Sequence, residues 1–104
     1  MDADFVKLTH AKGEHVVDLD GRRIGKVTNI AFEPMTYRPD WLVVKTSIFG
    51  RPRLVPVAAA VEEGHEIRVP FLKDTVLNAP VPTIPLTPAT SECAALEKHY
   101  HRAA

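Results

Sequence analysis

Cysteine is nearly absent from this sequence, and long apolar runs are missing. Cys93 is the single cysteine among 104 residues, which excludes an internal disulfide and fits a reducing compartment. No stretch approaches the ~18 consecutive apolar residues that a membrane helix needs. The acidic beginning, residues 1 to 10, lacks the apolar core of a secretion signal. We therefore expect a globular, cytoplasmic protein without a membrane span.

The usual motifs of catalysis and cofactor binding are also missing. There is no GxSxG elbow, no P-loop and no dinucleotide fingerprint. His99 and His101 are two residues apart in a predicted helix, so they point apart, unlike the i, i+4 pair of a helical zinc site. We expect no cofactor, no metal and no catalytic residue. The sequence leaves open an active site made of carboxylates that the fold brings together. It also leaves open a less favoured function as an enzyme or small-ligand binder.

Net charge is zero overall, but the charges are unevenly spread along the chain. Residues 22 to 53 hold seven basic and two acidic side chains, a balance of +5. Arg22, Arg23, Lys26, Arg51 and Arg53 would form one basic surface if the first hairpin met the loop around Gly50. Such a surface could bind RNA or a ribosome.

Two glycines four residues apart interrupt an otherwise strand-like stretch. Asp20-Gly21 is the dipeptide that type I′ hairpin turns favour, because both central residues need positive φ. Beyond it the apolar positions Ile24, Val27, Ile30 and Phe32 cannot all lie on one face of a regular strand. Gly25 stands where a β-bulge would shift the register. Gly21 is therefore predicted to turn the chain and Gly25 to bend it.

Further short strands follow. The run 41 to 44, WLVV, is apolar on both faces and is predicted to lie inside the sheet. Residues 49 to 52, with Gly50, indicate a turn. The short strand 54 to 57 follows, and Pro56 within it predicts that the strand lies at an edge or has that position facing away from its neighbour. Residues 67 to 71 alternate as a last strand. The fold class is therefore mainly β: a small barrel of five to six bent strands with a C-terminal α-helix.

The tail has a different composition. Residues 80 to 88, PVPTIPLTP, hold four of the nine prolines and are predicted to be extended. Thr87 and Pro88 resemble an N-cap and first turn of a helix that runs to about residue 102. Cys93, Leu96 and Tyr100 share one apolar stripe of that helix. We expect the stripe to pack on the barrel or to form an interface with a partner.

Four segments occur in a characteristic order: DLDGRRIGKVTNIAF, WLVV, FGRPRLVPV and NAP. Their order and spacing over about residues 12 to 80 resemble the PRC-barrel domain. This is the small β-barrel at the cytoplasmic end of the photosynthetic reaction centre H subunit and in a protein that matures the small ribosomal subunit. The final LTPATSECAALEKHYH is similar to the extension of short stand-alone bacterial members.

The resemblance implies that Gly21, Gly25, Gly50 and Pro56 are framework positions; Asp20 is expected in the first turn from the Asp-Gly pattern itself. It also implies a non-catalytic interaction module. We predict a PRC-barrel-like domain over residues 1–80, and a proline-rich segment with the C-terminal helix over 81–104. The expected function is that of an adaptor that binds a protein partner and self-associates, most simply as a homodimer. An RNA- or ribosome-associated role for the basic segment is the alternative.

Overall fold

The structure, a computed structural model, describes residues 11–35 and 38–103. Its strands in these ranges are β1 (His15–Val17), β2 (Arg23–Phe32), β3 (Pro39–Lys45), β4 (Arg53–Pro56), β5 (Val61–Glu63) and β6 (Glu66–Arg68). A 3₁₀ turn, Val57–Ala59, follows β4. The helices are α1 (Lys73–Leu77) and α2 (Thr90–Ala103). The chain is therefore mainly β with a C-terminal helix, as predicted.

The six strands form one mixed sheet in the order β4-β3-β2-β1-β6-β5. The β1 and β6 strands are parallel, whereas the other neighbours are antiparallel. In the described ranges β4 and β5 do not pair, so the sheet is barrel-like but not closed. This agrees with the predicted number of strands and leaves two edges, which lie at β4 and β5.

The first hairpin joins β1 to β2, as predicted, but its turn is centred one residue earlier. The N–H of Gly21 donates to the carbonyl of Asp18 over 2.9 Å, so Leu19 and Asp20 are the central residues. Gly21 has a φ of 83°, a value that glycine adopts without a side-chain clash. The chain therefore turns at Leu19 and Asp20 and continues through a left-handed glycine, not through the turn centred on Asp20-Gly21 that was expected.

Two bulges in β2 explain its irregular apolar spacing. Opposite β1, Val16 pairs with Gly25 and Val17 with Arg23, so Ile24 is left over. Opposite β3, the register shifts again between Val27 and Asn29. The predicted bend at Gly25 is confirmed. A further shift separates Ala31, which is buried, from Phe32, which is 41% exposed, so Phe32 does not share the buried positions of Ile24 and Val27.

Gly25 is required by a close approach of two backbones. A Cβ atom at this position would overlap the carbonyl oxygen of Lys45 and lie 2.9 Å from its carbonyl carbon. Both atoms belong to β3, the strand paired with β2, and cannot rotate away. Only glycine lets the two strands approach this closely.

The core lies along β3 and its neighbours. The side chains of Trp41, Leu42, Val43 and Val44 are all buried, so both faces of β3 are covered, as predicted. Pro56 ends the edge strand β4, where its missing N–H costs no interior ladder bond.

The tail partly follows its prediction. Residues 80 to 88 contain no regular element, and Thr87 donates its N–H to the carbonyl of Ile84 in a local turn. Helix α2 begins at Thr90, so Thr87 is not its N-cap. The carboxylate of Glu92 instead accepts the N–H of Ala89 over 2.9 Å and that of Thr83 over 2.8 Å. These hydrogen bonds lower the pKa of Glu92 and fix the start of α2.

Candidate functional site

Asp18 is the buried charged residue of the described core, with a side chain 0% exposed. Its Oδ1 accepts the N–H groups of Asp20 at 2.9 Å and Arg22 at 2.8 Å. Its Oδ2 accepts the N–H of Lys73 at 3.0 Å and the Arg22 Nε–H at 3.1 Å. One carboxylate thus holds the hairpin turn together and joins it to the first residue of α1.

The ionised form of Asp18 is the one that these contacts favour. Burial opposes the charge and by itself would raise the pKa. The N–H groups of Arg22, Lys73 and Asp20, together with the Arg22 guanidinium, outweigh burial and hold the pKa of Asp18 below its ordinary value. All four donors belong to the chain itself and hold both carboxylate oxygens. The carboxylate therefore stabilises the fold, and neither oxygen is free for acid–base chemistry.

Two further groups with chemical potential lie on the apolar stripe of α2. Burial raises the pKa of the Cys93 thiol. Burial also raises the pKa of the Tyr100 hydroxyl, an effect that the charge of Arg53 reduces. Both side chains are therefore protonated at neutral pH, which suits packing and hydrogen bonding better than nucleophilic attack.

The predicted interface residues Cys93, Leu96 and Tyr100 are all buried within the chain. The Tyr100 hydroxyl donates to the carbonyl of Leu54 over 2.5 Å, and its ring lies 4.7 Å from that of Phe71. The stripe thus packs on the chain's own sheet and covers the β4 edge. A role for these residues between molecules stays a prediction that a single chain does not test.

Tyr100→Phe should lower the free energy of unfolding by about 1 to 2 kcal/mol. The substitution keeps the ring against Phe71 but leaves the buried Leu54 carbonyl without its hydroxyl donor. Urea denaturation measures the difference. A variant as stable as the wild type would contradict the role of this hydrogen bond in fixing α2 to β4.

The five predicted basic residues differ in how far the chain's own groups engage their side chains. Arg51 donates to the carbonyls of Pro82 and Thr83 at 2.9 and 3.0 Å, and Arg53 donates to that of Leu77 at 3.3 Å. Arg51 thus joins the loop after β3 to the proline-rich segment, and Arg53 joins the start of β4 to the last residue of α1. Their guanidinium groups are therefore partly committed to the chain's own backbone.

The other three basic residues lie on or beside β2. Arg22 forms an ion pair with Asp18, whereas Arg23 and Lys26 are exposed on the strand. Lys26 pairs directly with Lys45 of β3, which is exposed as well. This adjacent lysine pair is the basic feature that the fold creates. It arises from strand register, which the sequence spacing of 26 and 45 does not reveal.

Exposed apolar side chains form a second surface feature that motif analysis missed. Ile48 is 81% and Phe49 is 98% exposed, in the loop that joins β3 to β4. Gly50 donates its N–H to the Ser47 hydroxyl over 2.8 Å and so closes this loop. The sequence signal was present as two large apolar residues next to a turn glycine. The sequence pattern predicted a turn over residues 49 to 52.

A shallow cleft of about 140 Å³ lies between the proline-rich segment and α2. Its lining is mainly apolar and includes Val81, Pro82, Ala95 and Leu96, with Glu92 at its polar side. Glu92 already accepts hydrogen bonds from the tail. Among the described residues, no group of three His, Cys, Asp or Glu side chains is placed to hold a metal ion.

The fold and the sequence together identify the class of this protein. It consists of a small, bent, mixed β-sheet with a C-terminal helix packed on it. The first hairpin contains a glycine at its turn, and the edge strand β4 ends in proline. The PRC-barrel domain family matches residues 4–76, and the chain belongs to that family. No curated protein matches the chain. In the part of the chain that the structure describes, no helix has the length and apolar character to cross a bilayer.

Proposed function

We propose that this protein is a non-enzymatic interaction module of the cytoplasm that associates with itself and, through the same kind of surface, with a protein partner. The groups that could perform chemistry support this assignment, because they are used for structure. Asp18 fastens the hairpin to α1, Cys93 is buried, and Tyr100 fixes α2 to β4.

The observation that carries the proposal is the pair of exposed apolar residues at the loop tip, Ile48 and Phe49. Adjacent large apolar side chains in water mark interaction surfaces, because their burial against a second molecule is favourable. The β5 edge adds to this. All three of its residues are exposed, and within the described ranges only β6 pairs with it.

Replacing the loop tip should weaken self-association. We expect Ile48→Ser/Phe49→Ser to be as stable as the wild type, because both side chains are already solvated, but to elute with a lower mass at equal concentration. Size-exclusion chromatography with light scattering over a wide range of protein concentration measures this. Ile84→Ser/Leu86→Ser, which removes two other partly exposed apolar side chains, serves as the control. An unchanged mass for the loop-tip variant would contradict a role for this surface.

The RNA-associated alternative has narrower support. Arg51 and Arg53 are engaged with main-chain carbonyls, so the exposed basic groups that remain of the predicted set are chiefly Arg23 and Lys26. An RNA complex that weakens steeply with salt and is lost in Lys26→Glu would favour this alternative.

A further inference from the structure

Two pairs of like charge face each other across neighbouring strands on this sheet. Lys26 of β2 lies directly opposite Lys45 of β3. Glu63 of β5 lies directly opposite Glu66 of β6. Like charges at directly opposed positions destabilise a sheet. Each pair is therefore a place where the fold carries an electrostatic cost within the single chain.

The two pairs belong to one row of the sheet. His15 of β1 is the register partner of both Lys26 and Glu66, so the row reads Lys45, Lys26, His15, Glu66, Glu63. Register partners point to the same face. Lys26 and Glu66 are two strand spacings apart, roughly 10 Å, with His15 between them. Among the described residues, no ion pair links the two ends.

The exposed charges have few partners within the chain. No ion pair involves Lys26, Lys45 or Glu66 among the described residues. Glu63 accepts the Arg68 Nε–H at 3.1 Å, which offsets part of its charge. The lysine side chains are exposed and Glu66 is half-buried. A positive and a negative end thus lie on one molecule whose net charge is zero.

Apolar side chains accompany both ends. Ile48 and Phe49 follow Lys45 in the next loop, and Val61, which is 57% exposed, precedes Glu63 on the same strand by two residues. Residues two apart on a strand share a face. Each end therefore combines charge with exposed apolar surface, the composition that a specific contact needs.

We propose that the lysine end (Lys26, Lys45 and the loop tip Ile48–Phe49) of one copy binds the glutamate end (Val61, Glu63 and Glu66) of a second copy. The proposal rests on the self-association put forward above and names the two surfaces that meet. Bringing the ends together relieves both like-charge pairs at once, and the exposed apolar residues are buried in the same contact. The second copy is the occupant because it carries the complementary charge beside matching apolar surface.

Charge reversal tests the proposal. Lys26→Glu/Lys45→Glu makes both ends acidic, and Glu63→Lys/Glu66→Lys makes both ends basic. Each variant alone should self-associate at least about tenfold more weakly than the wild type, because like charges then meet at the contact. An equimolar mixture of the two should regain association, since opposite ends are available again. Lys98→Glu and Glu97→Lys, on the exposed part of α2, are the controls, and circular dichroism checks folding.

Sedimentation velocity of each variant, of the mixture and of the wild type gives distinguishable outcomes. Recovery in the mixture cannot come from misfolding and supports the proposal. A wild type that associates while both reversed variants associate equally well overturns the inference and leaves self-association standing. If the wild type is monomeric at every concentration, both the proposed contact and the proposed self-association are overturned. If the wild type binds RNA but does not self-associate, and the lysine variant loses RNA binding, the lysine end is assigned to nucleic acid instead.

Discussion

Asp18→Asn should lower the free energy of unfolding by about 3 kcal/mol at neutral pH. The carboxylate accepts four hydrogen bonds at a site closed to water. An asparagine would direct an NH₂ group at donors that already point inward, which leaves buried N–H groups unpaired. The loss should separate the hairpin from α1, and urea denaturation followed by circular dichroism measures it.

The loss of stability caused by Asp18→Asn should be larger at neutral pH than in acid. The folded pKa of Asp18 lies below its ordinary value, so its ionised form contributes stability that is fully present above the unfolded pKa of about 3.9. This contribution is lost as the pH falls through the lower folded pKa. The difference between wild type and variant should therefore shrink in strong acid.

Asp20→Asn is the matched control for Asp18. Asp20 lies in the same turn and has the same side-chain chemistry, but it is exposed. We expect Asp20→Asn to change the free energy of unfolding by less than about 0.5 kcal/mol. Equal losses for the two variants, or a difference that does not vary with pH, would contradict the assignment of Asp18 as the fastener of hairpin and helix.

Gly25→Ala should lower the free energy of unfolding by about 3 kcal/mol or prevent folding. The added Cβ would overlap the carbonyl oxygen of Lys45, a backbone atom in the neighbouring strand. The strands would have to separate at the bulge where β2 pairs with both β1 and β3. Thermal and urea unfolding of the variant measure the loss.

Gly50→Ala provides the comparison for Gly25. Its Cβ would lie 2.8 Å from the Ser47 hydroxyl oxygen, which belongs to an exposed side chain that can rotate. We expect a cost below about 1 kcal/mol. If the two alanine variants were equally stable, the close approach of β2 and β3 would not be the reason for glycine at position 25.

Local patterns were sufficient for much of the fold. The spacing of Ile24, Val27 and Ile30 required a register shift, and the bulges beside Gly25 provide it. The turn at Gly21 was predicted, but its centre was not. Asp-Gly alone does not reveal that Asp18 is buried and accepts bonds from its own turn. One of the four hydrogen bonds to Asp18 also comes from the N–H of Lys73, which lies 55 residues away.

The candidate surface was harder to predict from the sequence than the fold was. Arg51 and Arg53 were grouped with Lys26 because all three lie in the basic segment 22 to 53, whereas the fold engages Arg51 with carbonyls of the proline-rich segment and Arg53 with the carbonyl of Leu77 in α1. The partner of Lys26 across the strands is Lys45. Strand register creates such pairs, and of the register shifts that set it only the one beside Gly25 was predicted.

Sedimentation equilibrium of the wild-type chain tests the central claim most directly. The proposed self-association predicts that the weight-average mass rises with concentration from near 11.5 kDa toward at least twice that value. The rise should diminish at high salt, because the contact joins opposite charges. A mass that stays at 11.5 kDa at every concentration and at low salt would contradict the account.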